Sequence, residues 1–86
     1  MIDSNNFNVQ EGKSPLKTLR ELLGDISQEE LARRIGVSVV TVSRWERGVT
    51  PATFTIPQMK AFIRELKSVG IDIENFPDDL SPFRFP

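Results

Sequence analysis

Arg33, Arg34, Arg44 and Arg47 stand close together in the chain, interleaved with Gln28, Ser38, Thr41 and Ser43. Guanidiniums, an amide and hydroxyls are groups that hold anions and hydrogen-bonding edges. The residues that usually make and break bonds are missing. The 86-residue chain has no histidine and no cysteine, which removes the usual general base, the commonest metal ligand, thiolate zinc sites and disulfide frameworks. The paired acids Asp78-Asp79 lie in a proline-flanked segment with no histidine, metal cluster or phosphate loop beside them. No enzyme activity, no cofactor and no metal are expected.

Charge is distributed in blocks. Residues 13–67 hold ten basic side chains (Lys13, Lys17, Arg20, Arg33, Arg34, Arg44, Arg47, Lys60, Arg64, Lys67) against six acids (Glu21, Asp25, Glu29, Glu30, Glu46, Glu65). Asp3 and Glu11 precede this stretch, and Asp72, Glu74, Asp78 and Asp79 outnumber Arg84 after it. The net charge of −1 therefore conceals a basic centre between acidic ends. Such a centre is compatible with a polyanion, although a solvated surface produces a similar excess. Hydrophobic residues make up 38% and charged residues 27%, as in an ordinary globular domain. The length allows one domain, which buries only about 60% of its unfolded surface. No apolar run is long enough to span a membrane, and the start Met1-Ile2-Asp3-Ser4-Asn5-Asn6 has neither the basic nor the apolar part of a signal peptide. A cytoplasmic protein is expected.

The elements that must position these side chains are helical. Residues 1–13 read as a flexible N-terminal arm. A first helix starts at Ser14-Pro15, a cap followed by a proline where its missing N–H costs nothing. Its apolar face is Leu16, Leu19, Leu22 and Leu23, ending at Gly24. A second helix opens with Ser27-Gln28-Glu29-Glu30, the pattern of a reciprocal capping box between Ser27 and Glu30. It carries Leu31, Ala32 and Ile35, and Gly36 supplies a left-handed stop. A third helix runs after Ser38 to about Arg47, followed by Gly48. Beyond a looser stretch from Val49 to Thr55, a fourth helix begins near Ile56 or Pro57. Ile56, Met59, Phe62, Ile63 and Leu66 line one face, and the helix stops near Gly70. Nothing after Gly70 has a helical period.

Gly36-Val37-Ser38 leaves room only for a tight corner between the second and third helices. Ala32 is small enough for the close approach, and Val37 and Val42 can fill the angle, which is how a helix-turn-helix is assembled. At 100° per residue, Val42 and Trp45 mark the core side of the third helix. Val40, Ser43, Arg44 and Arg47 then lie opposite, with Val39 at the flank. That outward face carries no acid. A solvated face with incidental valines is the bland alternative.

The run Ser27-Gln28-Glu29-Glu30-Leu31-Ala32-Arg33-Arg34-Ile35-Gly36-Val37-Ser38, followed by Thr41-Val42-Ser43-Arg44-Trp45-Glu46-Arg47-Gly48, closely resembles the phage-repressor-like (Cro/C1, or XRE) helix-turn-helix family. The resemblance spans about Leu16 to Leu66. It implies an all-α fold, a compact four- to five-helix lambda-repressor-like domain over residues 14–70, with the helix-turn-helix at helices 2 and 3. It implies a sequence-specific, double-stranded DNA-binding transcription factor acting as a homodimer on a palindromic operator, associated with the nucleoid when bound. Gln28 resembles the glutamine that fixes a backbone phosphate. Val39, Val40, Thr41 and Arg44 match the positions that reach base edges. Valines there suit thymine methyl groups, and Arg44 suits guanine O6 and N7, or else a phosphate or a surface ion pair. Ser38, Ser43 and Arg47 are placed to meet phosphates. Trp45 is expected in the core. Arg20 and Glu46 match a structural ion pair between the first and third helices.

Residues 71–86 depart from the family pattern. They form an acidic, proline- and aromatic-containing tail that can dock on another protein or a second copy, fold back over its own core, or fray. An antitoxin-like protein that binds a toxin through this tail is the alternative reading. A protein-interaction module that keeps the fold without binding DNA is a third, disfavoured by the outward Arg44 and Arg47.

Overall fold

A computed structural model describes residues 12–82. The expected N-terminal arm falls outside these residues except for Gly12 and Lys13, and so does the end of the tail. Four helices follow in order: α1 Pro15–Leu22, α2 Gln28–Ile35, α3 Val39–Arg47 and α4 Ile56–Ser68. A single 3₁₀ turn, Ile73–Asn75, comes after them, and the described residues contain no strand. The fold is all-α, with that short turn where a fifth helix would stand.

Each helix starts on a side-chain cap. The hydroxyls of Ser14, Ser27, Ser38 and Thr55 accept from the backbone N–H of Leu16, Glu30, Thr41 and Gln58. Each satisfies a donor with no partner inside its helix. The capping box expected at Ser27 is only half formed. The Glu30 carboxylate turns away from the helix start and takes Arg33 and Arg34 as partners. A complete box occurs instead at α4, where Gln58 Oε1 accepts from Thr55 N–H at 2.9 Å. Gln58 Nε2 also donates to the carbonyl of Gly36 at 3.1 Å, tying the start of α4 to the end of α2.

The core is contributed by every element: Leu16 and Leu19 from α1, Leu31, Ala32 and Ile35 from α2, Val42 and Trp45 from α3, and Phe62 and Leu66 from α4. Two residues expected there lie outside. Leu22, the last residue of α1, is 52% exposed. Ile56, the first residue of α4, is 73% exposed. Phe54, from the looser stretch before α4, fills the space instead. Its ring lies 5.0 Å from Trp45 and 5.1 Å from Phe62, which in turn meets Phe76 edge-on at 5.4 Å. Ring pairs at these separations add to the area they bury.

Phe76 belongs to the segment after Gly70. Ile71, Phe76 and Leu80 are all buried in the core. The Ser14 hydroxyl donates to the Leu80 carbonyl at 2.6 Å, across 66 positions of sequence. Of the outcomes open for the tail, residues 71–82 fold back over the helices as a strap. Three apolar anchors spaced by turns have no helical period, so only packing discloses them.

Candidate nucleic-acid interface

The corner between α2 and α3 is set by Gly36, whose φ of 92° is open to glycine at little cost. The N–H of Val37 then reaches back to the Ala32 carbonyl at 3.0 Å. Ala32 and Val42 are buried in the angle, and Val37 packs against them in part. This corner fixes which side of α3 looks outward.

Val42, Trp45 and Glu46 face inward. Val39, Val40, Arg44 and Arg47 are exposed, and Thr41 and Ser43 are half-buried at the flanks. Val40, at 52% exposure, stands on the crest with Arg44 and Arg47. Arg44 has no ion-pair partner among the described residues, and Arg47 only donates from Nε to the Ser43 hydroxyl at 3.3 Å. Ser38 and Thr41 are partly engaged with each other. Their hydroxyl oxygens are 2.8 Å apart, and that of Ser38 also accepts from Thr41 N–H.

Helix α3 stands between two open clefts. One, of about 410 Å³, is lined by Lys13, Lys17, Gln28, Ser43 and Arg47, with Pro82 of the strap at its edge. The other, of about 540 Å³, is lined by Ser38, Thr41, Arg44, Thr50, Thr53 and Gln58. The helix is thus presented as a ridge with a hollow on either side.

Beneath the ridge, Arg20 grips Glu46 with two parallel hydrogen bonds, Nε to Oε2 at 2.8 Å and Nη2 to Oε1 at 3.0 Å. The remaining Arg20 nitrogen, Nη1, donates to the Ile26 carbonyl at 3.0 Å. Only 16% of the Arg20 side chain and 7% of the Glu46 side chain are exposed. The hydrogen bond to Glu46 raises the Arg20 pKa above its ordinary value against the opposing effect of burial. Gln28 Nε2 donates to Glu46 Oε1 at 3.0 Å, so the carboxylate also holds the first residue of α2. One buried acid thus joins α1, α2 and α3, and no buried side-chain polar atom among the described residues lacks a partner.

The site residues singled out in the sequence come from the start of α2 and from α3 with its cap, and the corner brings them to one side of the molecule. Gln28 stands apart in having its amide nitrogen already held by Glu46. Thr50 and Thr53 were not read from the sequence, and Lys13 and Lys17 entered it only as part of the basic centre, not as site residues. None lies in the helix-turn-helix, and only tertiary packing carries them beside α3. Among the described residues no helix is long and apolar enough to cross a membrane, and no group of His, Cys, Asp or Glu is placed to hold a metal.

The helix-turn-helix family model matches residues 16–67, from the first buried leucine of α1 almost to the end of α4. The chain belongs to this family, in its Cro/C1-type (XRE) form, and is a DNA-binding helix-turn-helix regulator. The strap lies beyond the matched span. Comparison with curated proteins and with solved structures gave no match.

Proposed function

We propose that this regulator reads a specific duplex sequence by placing α3 in the major groove, two copies binding an inverted repeat. The observation that carries this reading is the crest of α3, where two valines and two arginines face outward with no carboxylate among the described residues to neutralise them. Arg44 reads guanine O6 and N7, and Val39, Val40 and the Thr41 methyl meet thymine methyl groups. Ser38, Ser43, Arg47 and Gln28 hold backbone phosphates and fix the register. Gln28 performs this with its second amide hydrogen, the first being directed to Glu46. A single reading helix spans too few base pairs for useful genomic specificity, which favours a dimer with half-sites about one helical turn, roughly 34–36 Å, apart.

The alternative in which residues 71–86 capture a toxin or another protein has less support. Of the apolar side chains of this tail, Ile71, Phe76 and Leu80 are buried in the chain's own core.

Selection of binding sequences from a random duplex library tests the proposal. An inverted repeat should be enriched by the native protein and by Lys60→Ala, and relaxed at one position per half-site by Arg44→Ala. Sedimentation of the complex should give two chains per site. Retention on DNA without enrichment, or a one-chain complex on an asymmetric site, would overturn it.

A further inference from the structure

The cleft between the start of α1, the start of α2 and the end of α3 contains two cations to which neither the helix-turn-helix nor its corner assigns a role. Lys17 is exposed and has no ion-pair partner among the described residues. Lys13 pairs with Glu21 at 2.9 Å, and both groups remain in contact with solvent. Across the cleft stand Arg47 and Ser43 of α3 and Gln28 of α2. The carboxylate that lines it, Glu46, is already held by Arg20 and Gln28. Three cations, a hydroxyl and an amide thus converge on one hollow of about 410 Å³, whose single acid is neutralised from beneath. Pro82 closes one side, fixed there by the Ser14–Leu80 hydrogen bond and by the seating of Ser81 against Gly48.

We propose that this cleft seats one phosphodiester of the DNA backbone, with Lys17 and Lys13 supplying charge from α1 opposite Arg47 from α3. This rests on the reading of α3 as the groove-entering helix, because it places the seat on the strand flanking that groove. Lys13 exchanges Glu21 for the phosphate on binding, so the free protein keeps this cation in place without leaving it bare. The ligand is a phosphate group of any sequence. The seat therefore raises affinity for all DNA and orients the molecule without contributing to base discrimination.

The test is the salt dependence of binding to the selected operator and to a scrambled duplex, for the native protein, Lys17→Ala, Lys13→Ala/Lys17→Ala, Lys17→Arg, Arg44→Ala and Lys60→Ala. Melting curves would confirm that each variant folds. Each lost phosphate contact lowers the slope of log affinity against log salt by about one. Lys17→Ala should lose about one and the double variant about two, on operator and scrambled DNA alike, with the operator preference retained. Lys17→Arg should restore the native slope. A double variant with native slope, while Arg44→Ala still relaxes selectivity, would overturn the seat and leave the reading of α3 intact. Equal losses in Lys60→Ala and Lys17→Ala would overturn it too, showing diffuse charge rather than a seat. Native behaviour in Arg44→Ala as well would remove the reading of α3 and the seat with it.

Discussion

Helices α2 and α3 each carry two arginines on their solvent side, and the two pairs are treated differently. On α2, Arg33 bonds to Glu30, and Arg34 bonds to Glu30 at 2.9 Å and to Glu65 of α4 at 3.0 Å. On α3, Arg44 and Arg47 meet no carboxylate among the described residues. Spacing accounts for the contrast: Glu30 stands three and four positions before Arg33 and Arg34, the separations at which helix side chains meet, whereas no acid stands three or four positions from Arg44 or Arg47. The acid nearest to Arg44 and Arg47 is Glu46, and it points inward to Arg20. Glu46 lies two positions from Arg44 and one from Arg47, offsets that put it on another face of α3, and its bridge to Arg20 holds it there. The placing of acids along α3 thus leaves the crest positively charged, and the buried bridge fixes the helix that carries it.

Three experiments act on this contrast. The largest effect is expected from Arg20→Ala, which leaves the Glu46 carboxylate buried without its counter-ion. Breaking a buried pair on one side costs about 3–5 kcal/mol, a large fraction of the stability of a small domain. Thermal melting should therefore fall steeply and DNA affinity with it; an unchanged melting temperature would show that the bridge does not hold α3. Arg44→Ala should reverse the pattern, with native melting but a loss of about 1–3 kcal/mol in discrimination at one base pair, read by competition between operator variants. Arg33→Ala, on the paired face of α2, should change neither melting nor affinity. A clear loss of DNA binding there would break the comparison.

A second difference separates the ends of the same two helices. Gly36 and Gly48 both adopt a left-handed conformation, with φ of 92° and 73°. A Cβ on Gly36 would meet open space, whereas one on Gly48 would come within 2.7 Å of the Ser81 side chain. Gly36→Ala should cost about 1–2 kcal/mol from backbone strain alone. Gly48→Ala should cost more, because the strap must also move. Equal losses by chemical denaturation would mean that the strap does not press on the end of α3.

Acid titration probes the smallest effect. Glu30 is held below the ordinary carboxylate range by hydrogen bonds from Arg33 and then Arg34, and Glu21 by its hydrogen bond from Lys13. A depressed folded-state pKa gives stability that is complete above the unfolded value and lost as pH falls through the folded one. With no histidine in the chain, melting should be flat between about pH 6 and pH 8 and decline only in the acid range. A transition near neutrality would contradict this.

The sequence disclosed most of what depends on neighbours in the chain. Caps at Ser14, Ser27 and Ser38 and the stops at Gly36 and Gly48 are signalled within a few residues of where they act. The outward arc of α3 follows from Val42 and Trp45 by angle alone. Readings failed where distant groups compete. Glu30 suited a capping box, but two arginines one turn later hold it more strongly. Thr55-Ile56-Pro57-Gln58 contained the real box, although the apolar Ile56 drew attention to a face that it does not join. Phe54 and the strap were unreadable for a different reason. Their anchors bury against surfaces assembled from all four helices, and no periodicity records that. The lysines beside Arg47 belong to the same class, being brought there only when α1 packs against α3.

The strap also decides where the ends of the folded body lie. Lys13 and Pro82 line the same cleft, so the polypeptide enters and leaves the domain at a single corner, on the flank of α3. Whatever is joined before residue 12 or after residue 82 sets out from that corner. On the proposed reading of α3, a domain fused directly at residue 12 or at residue 82 would therefore stand beside the bound duplex, whichever junction carried it.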